Sequence, residues 1–168
     1  MPSGPVISRS SESTETEQVK SIREKKQIAT KVQETGRDGN FIAYDNGTVL
    51  DTRTNLMWAA RDNGSKINWQ SAKSYCEHYR GGGYKDWRMP TQDELLVLYV
   101  PQSYHDSTRS DVYINASGKL IDITNYILWA SETHGSNAAG FSFYNGSKLW
   151  YPQSSNHDAR ALPVRSDK

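Results

Sequence analysis

The sequence predicts an α+β fold of short strands and two helices, and three observations predict it. Asn-Gly pairs stand between extended apolar segments, at Asn46-Gly47 and Asn145-Gly146, and such a pair is a strong hairpin signal. Two stretches, behind Asn68 and behind Thr91, carry apolar residues at helical spacing after a capping side chain. Between them Gly81-Gly82-Gly83 and Pro90 supply permissive backbone and a helix boundary.

In chain order, residues 1–37 form a compositional block of their own. Its SRSSESTETEQ run is polar, acidic and free of core residues, so it reads as a disordered or partly helical tether. Val19, Ile22, Lys26 and Ala29 fall at helical spacing; an oligomerising stalk is the alternative, although a seam containing Lys26 is poor. Gly36 to Asn40 marks the boundary, and residues 38–168 form the domain. Phe41–Tyr44 and Thr48–Leu50 are strands around the Asp45-Asn46-Gly47 turn, and a second turn at Thr52–Asn55 delivers Leu56-Met57-Trp58.

Asn68 caps a helix whose inward face is Trp69, Ala72, Tyr75, Cys76 and Tyr79, and which stops at the glycines. Thr91-x-x-Glu94 is a capping box, Pro90 and Leu95 occupy the positions of a hydrophobic staple, and Leu95, Leu98 and Tyr99 face inward. Val112–Ile114 and Leu120–Asp122 read as a small hairpin around Asn115–Gly118. Ile127–Ser131 reads as a core strand, Phe141–Tyr144 and Lys148–Tyr151 as a second hairpin, and Arg160–Arg165 as the last strand, an edge or bulge because of Pro163.

The central stretch GGYKDWRMPTQDEL resembles the G-Y-x-D-W-R-[LM]-P-[TS]-x-x-E-L signature of the DUF1566, or Lcl C-terminal, domains of bacteria. The likeness extends over roughly residues 40–166. It takes in Thr48–Asp51, Asn55–Trp58, Trp69–Cys76, Leu128–Glu132 and Ala161–Arg165. The resemblance implies a C-type lectin-like fold: one small twisted, mainly antiparallel sheet, two helices, long loops, and N- and C-terminal strands paired. It further implies an extracytoplasmic binding or adhesion module, in the periplasm or at the cell surface. Met1-Pro2-Ser3-Gly4-Pro5 reads as an artificial start, so a signal or anchor is expected upstream of it.

Composition narrows the chemistry. The net charge is +1 with the basic residues scattered, so nucleic acid is not an expected partner. No run approaches the length of a membrane span. Cys76 is the single cysteine, which excludes an internal disulfide and a multi-thiolate zinc site. Its place on an apolar helix face reads as a buried, unreactive thiol. Formylglycine-generating enzymes share the broader lectin-like fold but need active-site cysteines, so that chemistry is not expected. The four histidines show no metal-ligand spacing, leaving only a convergence of His134 with His157 across the C-terminal loops. The Glu-Pro-Asn sugar and calcium motif of animal lectins is missing, so no cofactor is expected, structural calcium being the one alternative. No catalytic residue is assigned.

Trp58, Trp69, Trp87 and Trp129 fall on positions of the resemblance that read as core. Trp150 differs: it follows a turn in a segment dense in Ser, Asn, Tyr and His, the composition that binding loops favour. The candidate ligand-binding residues are therefore Tyr144, Trp150 and Tyr151, with His134, Asn137, Lys148, Asn156 and His157 supplying polar contacts. If Phe143 and Leu149 are core, alternation turns Tyr144 and Trp150 outward, and Tyr151 must leave its strand to join them. The expected function is non-catalytic recognition of a glycan, a glycosaminoglycan or a protein through C-terminal loops. An enzyme or metal-dependent domain on the same fold and an oligomerising head on a stalk are the alternatives.

Overall fold

The computed structural model describes residue 4 and residues 16–23, 32–101 and 120–167. The chain divides into two units, Met1–Gln33 and Glu34–Lys168. In the first, residues 16–23 are helical (α1), with Val19 and Ile22 exposed; Lys26 and Ala29 lie outside the described residues.

The second unit is α+β with two antiparallel sheets. Strands β1 (Glu34–Asp38), β2 (Phe41–Tyr44), β3 (Thr48–Asp51) and β4 (Leu56–Ala59) form an antiparallel meander. β5 (Ile127–His134), β6 (Asn137–Ser142) and β7 (Ser147–Pro152) form a second one, and β8 (Val164–Ser166) closes the first sheet in the order β1-β2-β3-β4-β8. The one sheet of the sequence reading is thus two. β1 also lies inside the stretch read as tether, because its residues pair with β2 from Glu34 onward.

The expected pairing of the terminal strands needs correction. Phe41–Tyr44 and β8 share a sheet, but β3 and β4 lie between them, and β8 pairs with β4 through Met57↔Arg165 and Trp58↔Val164. Three successive tight connections use up the edges of β2 and β3, so the last strand can join only at an end of the meander, and it takes the free edge of β4. Asn46 Oδ1 accepts from Thr48 N–H and Oγ1–H, which fixes the first of these turns.

Both helices begin as their caps dictate. α2 (Trp69–His78) has Asn68 as its cap, accepting from Ser71 N–H. α3 (Gln92–Leu98) carries the complete Thr91/Glu94 capping box. The glycines do not stop α2, which has already ended at the Tyr79 cap. They form the short 3-10 turn Gly81–Gly83, in which Gly82 takes φ 65° and a β-carbon there would sit 2.8 Å from Thr48 Cγ2. Only glycine suits that backbone.

The β5-β6-β7 sheet packs on both faces through β5 and β6, while β7 leaves Lys148, Trp150 and Pro152 exposed. Leu128, Ala139 and Phe141 point toward the five-stranded sheet and α3, in a core with Val49, Trp58, Trp87, Leu95, Leu98 and Leu162. Ile127, Trp129 and Ala138 point the other way, onto Trp69, Ala72 and Cys76 of α2. The segment before β8 ties the layers together: Arg160 bridges Leu128, and Val164 bridges Arg88 as well as pairing with β4. The hairpin expected over 112–122 lies outside the described residues as far as 119; beyond it Ile121 is buried and Asp122 bridges Arg61.

Candidate functional site

The central stretch is occupied residue by residue in holding the fold. Tyr84 lies beneath the Arg165 guanidinium, 3.9 Å from its ring centroid. Asp86 accepts from the same guanidinium at 2.7 and 3.2 Å, so a nearly buried cation is paired on one side and stacked on the other. Trp87 is buried, its ring edge-on to Tyr79 and its indole N–H donating to Gly81 C=O at 3.1 Å. Arg88 forms a two-pronged pair with Glu94 at 2.8 and 2.6 Å.

Gln92 is buried, and its side-chain amide donates to the carbonyls of Gly140 and Leu149 at 2.9 and 3.1 Å. Glu132, from β5, accepts from Gln92 N–H with both oxygens, a second anionic cap on α3. Burial alone would push the Glu94 carboxyl up, but Arg88 and the Thr91 backbone N–H outweigh it and the net shift is downward. Trp69 donates to Ala130 C=O and Trp129 to Ile67 C=O, locking α2 to β5.

Other reactive groups are also engaged or shielded. Asp51 accepts from Arg53 N–H and Thr54 Oγ1–H. Asp62, buried, accepts from Gly64 N–H, Thr124 N–H and Thr124 Oγ1–H. Burial pushes the Cys76 thiol up to about 12. No group of three or more His, Cys, Asp and Glu converges among the described residues.

The eight candidate binding residues do not form one cluster, nor do they sit on loops: most of 131–157 is strand. Trp150 is 46% exposed on β7, with the His134 ring edge-on to it at 6.3 Å. The register puts Asn137 and Lys148 on that same face. Lys148 pairs with Asp93 at 2.6 Å. Tyr151 stays in β7 on the opposite face, so it does not join Trp150; it packs edge-on against Trp129 and lies 3.8 Å from the His157 ring. His134 and His157 therefore contact opposite faces of β7 and do not converge. Tyr144, 63% exposed, sits in the β6–β7 turn against Tyr126. Ser147 separates it from the Trp150 end of the strand by three residues, roughly 10 Å. Asn156 is exposed and His157 half-buried after the strand.

The sequence reading missed a cleft of about 330 Å³ lined by Asn68, Gln70, Ser136, Gln153 and Ser154. It joins the start of α2 to the β5–β6 turn and to the end of β7. Asn68 reads from sequence as a cap alone, and nothing local connects it to residues more than sixty positions away.

The fold and this surface define a class: a two-sheet α+β domain whose described carboxylates mostly serve its own structure and whose outer hairpin carries exposed aromatics. The chain belongs to the Lcl C-terminal domain family, whose model matches residues 47–165. No curated protein and no solved structure matches it.

Proposed function

We propose that the domain is a recognition module of C-type lectin-like type, non-catalytic and extracytoplasmic, which binds a glycan or protein ligand through its β5-β6-β7 hairpins. One observation carries the reading. Trp150 stands 46% exposed on β7 with His134 against it, while Trp58, Trp69, Trp87 and Trp129 are all buried. A large exposed ring is an unexplained liability unless something covers it, and rigid aromatics are what binding surfaces use as anchors. The Tyr126–Tyr144 pair at the other end of the hairpin extends the surface. No helix among the described residues is long and apolar enough to cross a membrane, so a membrane-bound role would be served by attachment outside them. The N-terminal unit would space or oligomerise the module.

The test uses glycan, glycosaminoglycan and protein arrays with and without calcium, comparing wild type with Trp150→Ala. Loss of an anchor ring typically costs more than about 1 kcal/mol, so binding should weaken about tenfold while the melting temperature stays put. Binding unchanged in a Trp150→Ala, Tyr144→Ala double variant would move the site off the hairpin. Dependence on calcium would point to a metal-assisted site instead.

A further inference from the structure

We infer that the cleft between α2 and the β5–β6 turn is a binding subsite for an uncharged saccharide. The inference rests on the reading of the domain as a recognition module, and it names the ligand class. Among the described residues, all five lining side chains are neutral amides or hydroxyls: Asn68, Gln70, Ser136, Gln153 and Ser154. A sulfated or carboxylated ligand would find no lining cation to neutralise it, and an apolar ligand would strand five polar groups. Side-chain amides and hydroxyls present both donors and acceptors, the complement of a ring carrying several hydroxyl groups.

The lining groups are also little used by the protein. Asn68 Oδ1 is committed to Ser71 N–H, but its amide N–H₂ is free for a ligand. The Gln153 side chain makes only a long contact, 3.4 Å, to Gly135 C=O. One residue beyond Ser154, the Ser155 hydroxyl is buried with no partner. The cleft's framework is fixed: Gln153 N–H donates to Ser136 C=O at 2.9 Å, and Asn68 C=O accepts from Ala72 N–H at 2.8 Å. Preformed walls reduce the ordering cost of binding. At about 330 Å³ the cleft is at the small end of ligand sites, the size of one or two sugar rings rather than a long chain. His134, which contacts Trp150, is two residues from Ser136 at the turn where the cleft begins, whereas Trp150 itself stands on the sheet face opposite the one α2 covers.

The experiment is a two-dimensional ¹⁵N–¹H titration of the full chain with lactose, maltose and chitobiose, and with heparin as the anionic probe. The proteins are wild type, Gln70→Ala/Gln153→Ala, and Trp150→Ala, all checked for unchanged melting. The expected result is that at least one neutral disaccharide shifts the amides of residues 68–71, 135–136 and 153–155. The double variant should weaken that binding about tenfold, as the loss of two neutral hydrogen bonds implies. Neutral sugar binding that is indifferent to the double variant but lost in Trp150→Ala would overturn the cleft while leaving the recognition reading intact. A response to heparin alone would overturn the ligand class. No shift with any probe would overturn the inference.

Discussion

Trp87→Ala is the sharpest test of how this domain is held together. The ring is 3% exposed, edge-on to Tyr79 at 5.0 Å and to Tyr84 at 6.3 Å. Truncating such a ring to alanine costs about 3–5 kcal/mol, from lost transfer energy plus the cavity left behind. For a domain of this size that corresponds to a drop in Tm of about 10–20 °C. Trp87→Phe separates the contributions. It keeps an aromatic ring between the two tyrosines and loses the N–H donated to Gly81 C=O. That carbonyl still accepts from Tyr84 N–H at 3.3 Å, so no acceptor is stranded and the loss should be only about 1 kcal/mol beyond the smaller ring. Urea unfolding with matched m-values measures both variants. If Trp87→Ala melts like wild type, the ring is not core; if Trp87→Phe is as damaging as Trp87→Ala, the hydrogen bond rather than packing dominates.

Three further outcomes are expected. The Glu94 carboxyl is held below its ordinary value of 4.5 in the folded state, so its contribution is fully present above that pH and is lost as pH falls through the lower, folded value. Glu94→Gln should flatten the acid limb of stability between those two points, and an unchanged limb below pH 4.5 would refute the assignment. Gly146→Ala should destabilise by about 1–2 kcal/mol or more, since φ is +73° and a β-carbon would meet Tyr99 at 2.6 Å; a neutral effect in thermal melting would show that the β6–β7 turn relaxes freely. Cys76, its thiol pushed up to about 12 by burial, should resist a disulfide exchange reagent at pH 8 in the native protein and react in guanidinium; fast native labelling would place it at the surface.

What was legible in the sequence is what is local. The Asn68 cap, the Thr91–Glu94 box and the Asp45-Asn46-Gly47 turn each follow from residues a few positions apart, the burial of Trp87 follows from the family resemblance, and the structure has all four. What was not legible depends on partners far along the chain. Glu132 caps α3 across forty residues, a role with no sequence signal besides its place in the family-like WASE segment. β6 begins Asn137-Ala138-Ala139-Gly140, poor in β-formers; it is a strand because β5 and β7 pair with it on both sides. Expecting Tyr151 to leave its strand and join Trp150 also misplaced it, because the strand continues through Pro152.

The division of labour inside the chain bears on where function lies. Tyr84, Asp86, Trp87, Arg88, Thr91, Gln92 and Glu94 each have a named structural partner. An aromatic or carboxylate already engaged in this way can bind a ligand only by giving up that contact, at a cost of order 1–3 kcal/mol per buried hydrogen bond lost. The side chains of Gln70, Ser136 and Ser154 carry no such obligation, Trp150 has only the exposed His134 ring against it, and changing them costs the fold little. They lie at the rim of the β5-β6-β7 layer, on either face of it, and Gln92 of α3 with Glu132 of β5 ties that layer to α3. The family signature therefore marks the brace, and on the recognition reading proposed above the residues that can differ without unfolding the domain would mark the ligand. Two members with the same signature should share the stability response to Trp87→Ala and differ in their response to Trp150→Ala. A pair in which binding tracks Trp87 but not the hairpin, at equal stability, would reverse that assignment.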